Sequence, residues 1–372
     1  MTDHATIAPS SMDRTVACPG WIRQASLVPP LPPDEHTLEG EAAHWVALIG
    51  ALNPEELPAL LGMTAPNGQT ITDEMVDGAW LYVEALDGLP GTMEERVDVP
   101  RVHPTECWGT PDRYHWKPAT KTLKVVDYKF GHLFVEVFEN WQLVAYASGI
   151  MDKLGLHDTD VILELVIVQP RSYHRDGPVR TWTVSATKLR SMVNDMHHAA
   201  HEALTDKPRT QSGPHCVHCP ARASCSTLQQ TTGNILDFSG RADPLLQTPD
   251  DIGRELRLVT LARERLKARQ TGLEAQAEAL LRAGRAVPFF IMEPGQSRLK
   301  WLESVSVGEV EALAQTLTGR SVLKPPALIT PTQALKSKAL DAAVMSEYSE
   351  RPPGAMRLVP DTTAKARKIF ST

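Results

Sequence analysis

The run DVILELVIVQP at residues 160–170 is the strongest constraint on the fold. It is almost continuously apolar, too short for a long helix, and bounded by polar residues and a proline. Such a run suits a central strand buried on both faces. A strand of that kind needs cover above and below, so the chain must supply helices for two layers.

The flanking segments supply them. Residues 34–62, with DEHTLEGEAAHWVALIGAL at their head, are rich in Ala, Leu and Glu and predict a helix, and TDEMVDGAWLYVEAL (72–86) predicts a second. Period-two alternation then predicts strands over EERVDVP (94–100), CWGTPDRYHW (107–116) and TLKVVDYK (122–129). Pro118 and the polar ATKT separate the last two as a hairpin turn. Helical spacing returns at 136–155, with Trp141, Val144, Ala145 and Ser148 on one side, and again at 185–204. The order is helix, three strands, helix, strand, helix: a mixed α/β domain around a small sheet.

Past residue 226 the texture changes. Residues 249–284 read as one long helix with Ile252, Leu256, Val259, Leu266, Leu273, Ala277 and Leu280 at three/four spacing and Gly284 at its end. Its polar side carries Arg254, Arg257, Arg263, Arg265, Lys267 and Arg269, a row that suits either a solvated face or a nucleic-acid backbone. A short β-like piece, AVPFFIME, and a threonine-capped helix at 330–344 follow. The expected division is a domain over 1–230 and a mainly helical module over 231–372.

Charge follows the same division. The chain has a net charge of −7, yet residues 241–372 carry 20 Lys/Arg against 15 Asp/Glu. A metal-binding acidic cluster upstream and a basic DNA-contacting tail would give that bias, and so would ordinary solvated surface. Hydrophobic residues make up 42% of the chain, but no apolar run approaches the ~20 residues of a membrane span. The segment MTDHATIAPSSMDRT has neither a basic start nor an apolar core, so a cytoplasmic protein with no membrane partner is expected.

Two constellations carry chemistry. In GTPDRYHWKPATKTLKVVDYKFG (109–131), Asp112 and Asp127 fall at one end of adjacent antiparallel strands, and Lys129 shares the face of Asp127. Two carboxylates suit a hard divalent ion, and a neighbouring ammonium suits the positioning of a water or the neutralisation of a phosphate. A surface hairpin with a Lys–Asp pair is the plain alternative. The second constellation is CVHCPARASC, which sets Cys216, Cys219 and Cys225 within ten residues. In a cytosolic chain, cysteines clustered this closely favour a metal site over disulfides. Cys107, on a predicted strand, is most simply a buried small hydrophobe.

The motifs GTPD and VVDYKFG resemble the G-x-x-D and D/E-x-K elements of the PD-(D/E)XK nuclease superfamily, in its RecB-type branch. EGEAAH (39–44) is similar to that branch's upstream G-x-x-x-H signature, with Gly40 and His44, and QLVAY (142–146) to its downstream Q-x-x-x-Y signature. The resemblance spans roughly residues 10–230. It implies a restriction-endonuclease-like core, a small mixed sheet flanked by helices, followed by an α-rich C-terminal module.

It also implies roles. His44, Asp112 and Asp127 would hold Mg²⁺ or Mn²⁺ together with the Tyr128 carbonyl, and Lys129 would be the catalytic lysine. Gln142 and Tyr146 would bind DNA or support the site. Glu95, with Glu94 as an equal candidate, would be the acid at the first strand. Cys18 with Cys216, Cys219 and Cys225 resembles the four-cysteine [4Fe–4S] staple of the AddB-like and CRISPR-adaptation nucleases of the same branch. Zn²⁺ is the rival occupant, with His215 and His218 making a mixed site thinkable. The layout is similar to phage and prophage proteins of this type, which implies a DNA exonuclease in recombination or end processing. A non-catalytic or partner-activated DNA-binding subunit is the alternative. No phosphate-cradling G-x-x-x-x-G-K-S/T occurs, so a helicase or recombinase would be a separate chain.

Overall fold

The computed structural model describes residues 5–29, 35–156, 161–172, 174, 176–239, 249–292 and 312, with backbone alone at 235–239, 249 and 251. Helices α1 (Met12–Ala17), α2 (Trp21–Ser26), α3 (Glu35–Leu52), α4 (Leu57–Leu60) and α5 (Asp73–Leu86) come first. Strands β1 (Thr92–Met93), β2 (Val97–Asp98), β3 (Trp108–Gly109), β4 (Arg113–Lys117) and β5 (Thr122–Tyr128) follow. Then come α6 (Trp141–Lys153), β6 (Ile162–Val168), β7 (Val179–Ser185), α7 (Arg190–Ala203), α8 (Ser226–Ser239) and α9 (Pro249–Arg282).

One mixed sheet has the strand order β1-β4-β5-β6-β7. β4 and β5 run antiparallel, with Arg113 opposite Val126 and Tyr114 opposite Val125. β5 and β6 run parallel, with Val125 opposite Leu165, so their connection must cross over, and α6 makes that crossover. β2 and β3 form a separate two-stranded ladder.

The apolar run of β6 is buried on both faces, as its composition implies. Leu163, Leu165 and Ile167 enter a core with Leu143, Val144 and Ile150 of α6 and Met196 of α7. Val166 and Val168 enter the opposite core with Val46 of α3 and Met75 and Ala79 of α5. Burying one such aliphatic side chain stabilises the fold by roughly 1.5–3 kcal/mol, so these two layers hold the sheet in place. Local signals start the helices: the Thr72 side chain accepts the Met75 N–H at the head of α5, and Asn140 accepts Leu143 N–H at the head of α6.

Several sequence expectations change. The run at 94–100 forms only the two-residue β2. The run at 107–116 breaks into β3 and β4, with Asp112 in the break. Strand β7 is an addition to the expected strands, and its VRTWTVS alternates at period two. α6 begins at Trp141 rather than 136, because Glu139 takes a left-handed backbone (φ +51) just before the cap. AVPFFIME forms no strand among its described residues; Val287 and Phe290 make one isolated bridge around Phe289 at φ +69. The helix expected at 330–344 lies outside the described residues.

One compact unit runs Met1–Met292 and includes α8 and α9, which pack on each other and on the turns at 214–223. The apolar positions Ile252, Leu256, Val259 and Leu273 of α9 are exposed. Its packing side instead centres on Ala268, fully buried against Cys216 and Leu228. No helix of the described residues is long and apolar enough to cross a membrane.

Candidate active site

Strand register brings the two acids together. Because Arg113 faces Val126, Asp112 lies just before β4 beside Asp127 near the end of β5. The break that holds Asp112 is pinned from both sides. Tyr128 N–H donates to Asp112 Oδ2 at 2.6 Å, and Tyr146 OH donates to the Thr110 carbonyl at 3.1 Å. Gly109 allows this approach, since a Cβ there would stand 3.1 Å from the Tyr146 hydroxyl and 2.9 Å from Pro9 Cδ. Tyr146 is therefore a buried strut under the turn.

Asp127 is 3% exposed and belongs to a closed triad. Lys129 Nζ lies 3.0 Å from its Oδ2 and 3.2 Å from its Oδ1. Gln142 of α6 donates to Oδ1 at 2.7 Å and accepts from Lys129 Nζ at 3.0 Å. Oδ2 has the ammonium nearby but no well-directed hydrogen bond. The period-two expectation that Lys129 shares the face of Asp127 is thus met, and Gln142 reaches the same cluster from the next helix.

His44 comes from α3, with Nδ1 3.5 Å from Asp112 Oδ1. Its ring meets Tyr128 edge-on at 5.3 Å. The N-terminal turns of α3 are tied down by a two-pronged ion pair, Arg171 to both Glu39 oxygens at 2.9 and 2.6 Å. That pair fixes the helix that carries His44.

Of the two glutamates, Glu94 is the one that lies beside the cluster. Its left-handed backbone (φ +48) places it in a small pocket with His44, Tyr82, Asp112 and Tyr128. Glu95 points elsewhere, accepting from Tyr114 OH at 2.8 Å and pairing with Lys153 at 2.7 Å. Tyr128 contributes its N–H to the cluster, where the resemblance assigned it a carbonyl.

The electrostatics separate the three carboxyls. Burial raises the Asp112 pKa, but the charge and hydrogen bond of His44 and the Tyr128 N–H outweigh it, so Asp112 stays below its ordinary value. Asp127 lies above its ordinary value, because burial and the Asp112 charge outweigh Lys129. Glu94 is pushed up to about 7 by burial and then by Asp112. Burial alone would lower Lys129 and His44; the acids more than offset it and hold both above their usual values.

The four cysteines meet at a second place. Cys18, Cys216, Cys219 and Cys225 line one small cavity with Trp21, Gln211 and Arg222. Gln211 N–H donates to Cys18 Sγ and Gly213 N–H to Cys216 Sγ, each at 3.3 Å. Burial pushes the Cys18, Cys216 and Cys219 thiols up. α9 packs on the turns that carry the cysteines: Arg265 bonds Ser212 at 3.3 Å, and Gly272 sits where a Cβ would meet Ala223 N at 2.8 Å. Cys107 stands apart and buried, its thiol pushed up to about 12 by burial, as a packed small hydrophobe would be.

In kind, both donor sets fit metals: two carboxylates with a histidine, and four thiols with amide donors to sulfur. As the side chains lie, no three or more His, Cys, Asp or Glu among the described residues are gathered as a metal's ligands; Asp112, Asp127 and His44 each face a protein partner instead.

The molecule is a mixed α/β protein with a carboxylate–lysine cluster at the end of a hairpin and a separate four-cysteine cavity. The chain belongs to the family described as "Protein of unknown function (DUF2800)", whose model matches residues 4–366.

Proposed function

We propose that this chain is a divalent-metal-dependent deoxyribonuclease of the PD-(D/E)XK type, RecB-like branch, acting on DNA ends. The observation that carries the proposal is the triad of Asp127, Lys129 and Gln142 beside a pinned Asp112 and His44. Those side chains come from one hairpin, the crossover helix and a helix of the opposite layer, and a surface Lys–Asp pair would recruit none of the others.

Asp112, Asp127 and His44 would hold Mg²⁺ or Mn²⁺, and such an ion supplies Lewis acidity and a water of lowered pKa. The protein's own part is positioning. Lys129 keeps its proton under the influence of Asp127 and Asp112, so it offers a cation to a phosphoryl oxygen or orients a water rather than removing a proton. Gln142 holds that ammonium against Asp127 from the side. Glu94, at about 7, is the group able to exchange a proton near neutral pH. Cys18, Cys216, Cys219 and Cys225 would bind a [4Fe–4S] cluster, or Zn²⁺ in its place, joining the N-terminal segment to the end of the sheet domain.

The test is cleavage of end-labelled linear and closed circular DNA with Mg²⁺, Mn²⁺ or EDTA, using anaerobically purified protein and the Lys129→Ala variant. Metal-dependent loss of linear DNA only, reduced in the folded variant by about 10²-fold or more, is the expected result. No cleavage by protein that holds its cluster would replace this proposal with a binding subunit activated by a separate helicase or recombinase.

A further inference from the structure

Away from both sites, three imidazoles gather at the surface. His197 and His201 are one turn apart on α7, with ring centroids 4.1 Å apart. His103, from the loop between β2 and β3, lies 4.9 Å from His201. None of the three contacts the carboxylate cluster or the cysteine cavity in any interaction described above.

Backbone hydrogen bonds fix where their protons sit. His197 Nδ1 lies 3.1 Å from the Arg101 carbonyl oxygen, and His201 Nδ1 lies 2.9 Å from the His197 carbonyl oxygen. A carbonyl oxygen only accepts, so each Nδ1 carries the proton. Each neutral ring then presents a bare lone pair on Nε2. His103 is the reverse: its Nδ1 accepts the Glu106 N–H at 3.1 Å, which leaves the proton on Nε2. Burial and the two neighbouring histidines hold His103 below its ordinary pKa, so near neutral pH it adds no charge beside the pair.

A histidine whose Nδ1–H is tied to a carbonyl is oriented for metal binding through Nε2. Four-residue spacing puts two such rings on one helix face. We propose that His197 and His201 form a site for one divalent transition ion of the Zn²⁺, Ni²⁺ or Cu²⁺ class, with water completing its shell. Imidazole nitrogens select that class over Mg²⁺, which the carboxylate cluster suits. The described residues gather no larger ligand set, and this site takes two side chains. Both ligands lie on α7, so the ion would brace one turn of that helix, where His197 also holds the Arg101 carbonyl.

The experiment is isothermal titration of the full chain with NiCl₂, in wild type and in His201→Ala, His197→Ala and His198→Ala. His198 is an exposed neighbour on the same helix and serves as the control. Losing a supporting hydrogen bond to a metal-bound histidine costs 10–100-fold in affinity, so losing a ligand should weaken this Ni²⁺ step by about tenfold or more. The step should weaken in His201→Ala and His197→Ala and stay unchanged in His198→Ala. His201 is exposed, so its replacement leaves the fold standing even if the His197 variant is perturbed. Wild-type titration by His201→Ala, or equal loss in the control, overturns the proposal.

Discussion

The carboxylate cluster and the cysteine cavity are built in opposite ways. Asp112, Asp127, Lys129 and Gln142 come from one stretch of chain, placed by the β4–β5 register and by α6. Each is already held by a partner within the protein, so the geometry does not wait for an ion. The cavity joins Cys18 to residues some two hundred positions later through two short 3₁₀ turns, Pro214–His218 and Pro220–Ala223. Its own apolar core is small, centred on Cys216, Leu228 and Ala268. Regular structure preorganises the first site; the second rests on short turns and a small apolar core.

That contrast is tested most sharply by Cys219→Ser. Structural metal sites contribute folding energy directly, so the variant should lose bound metal and melt lower by on the order of 10 °C. Hydrogen exchange should then quicken across residues 211–225 and α9, while the Tyr128 amide, bonded to Asp112, stays protected. Equal loss of protection in β5 would mean the two regions are one cooperative unit, and the comparison would fail.

The difference in construction also explains what the sequence disclosed. Asp112, Asp127 and Lys129 were legible because strand alternation is a local rule, and the hairpin brings them together as that rule requires; Gln142 and Tyr146 came only from the resemblance, and no period in the sequence marks them. Glu94 was legible only as an equal of Glu95. A left-handed residue reverses which side chain faces inward, and period-two counting does not see it. Strand β7 was hidden by its polar composition, although as an edge strand it needs only one apolar face. α9 misled most. Its three/four apolar positions suggested the buried side, yet Ala268 and Gly272 face the cysteine turns, because close packing there needs small residues.

A smaller effect probes how α9 supports the cysteine turns. Arg265→Ala removes bonds to the Ser212 hydroxyl and carbonyl, each at 3.3 Å, which should cost about 1 kcal/mol in urea unfolding. Metal retention at the cysteines should fall with it, and DNA cleavage should not. A variant of unchanged stability that binds DNA less well would make Arg265 a backbone contact and would take α9 out of the cavity's support.

The smallest expected effect lies in the carboxylate cluster and is a matter of pH. His44 lies above its ordinary pKa because Asp112, itself held below its own, stabilises the imidazolium. A raised histidine pKa contributes stability in full below the unfolded value, and that contribution disappears as pH rises through the folded value. In EDTA, the stability gap between wild type and His44→Ala should therefore be wider at about pH 5.5 than at about pH 8.5, on either side of the ordinary histidine value. The side chain is 36% exposed, so the difference should be modest. Thermal melts of both proteins at the two pH values decide it. An equal gap would show that the His44–Asp112 contact carries no charge in the folded protein, which would leave the Tyr128 amide as the main force holding Asp112 in place.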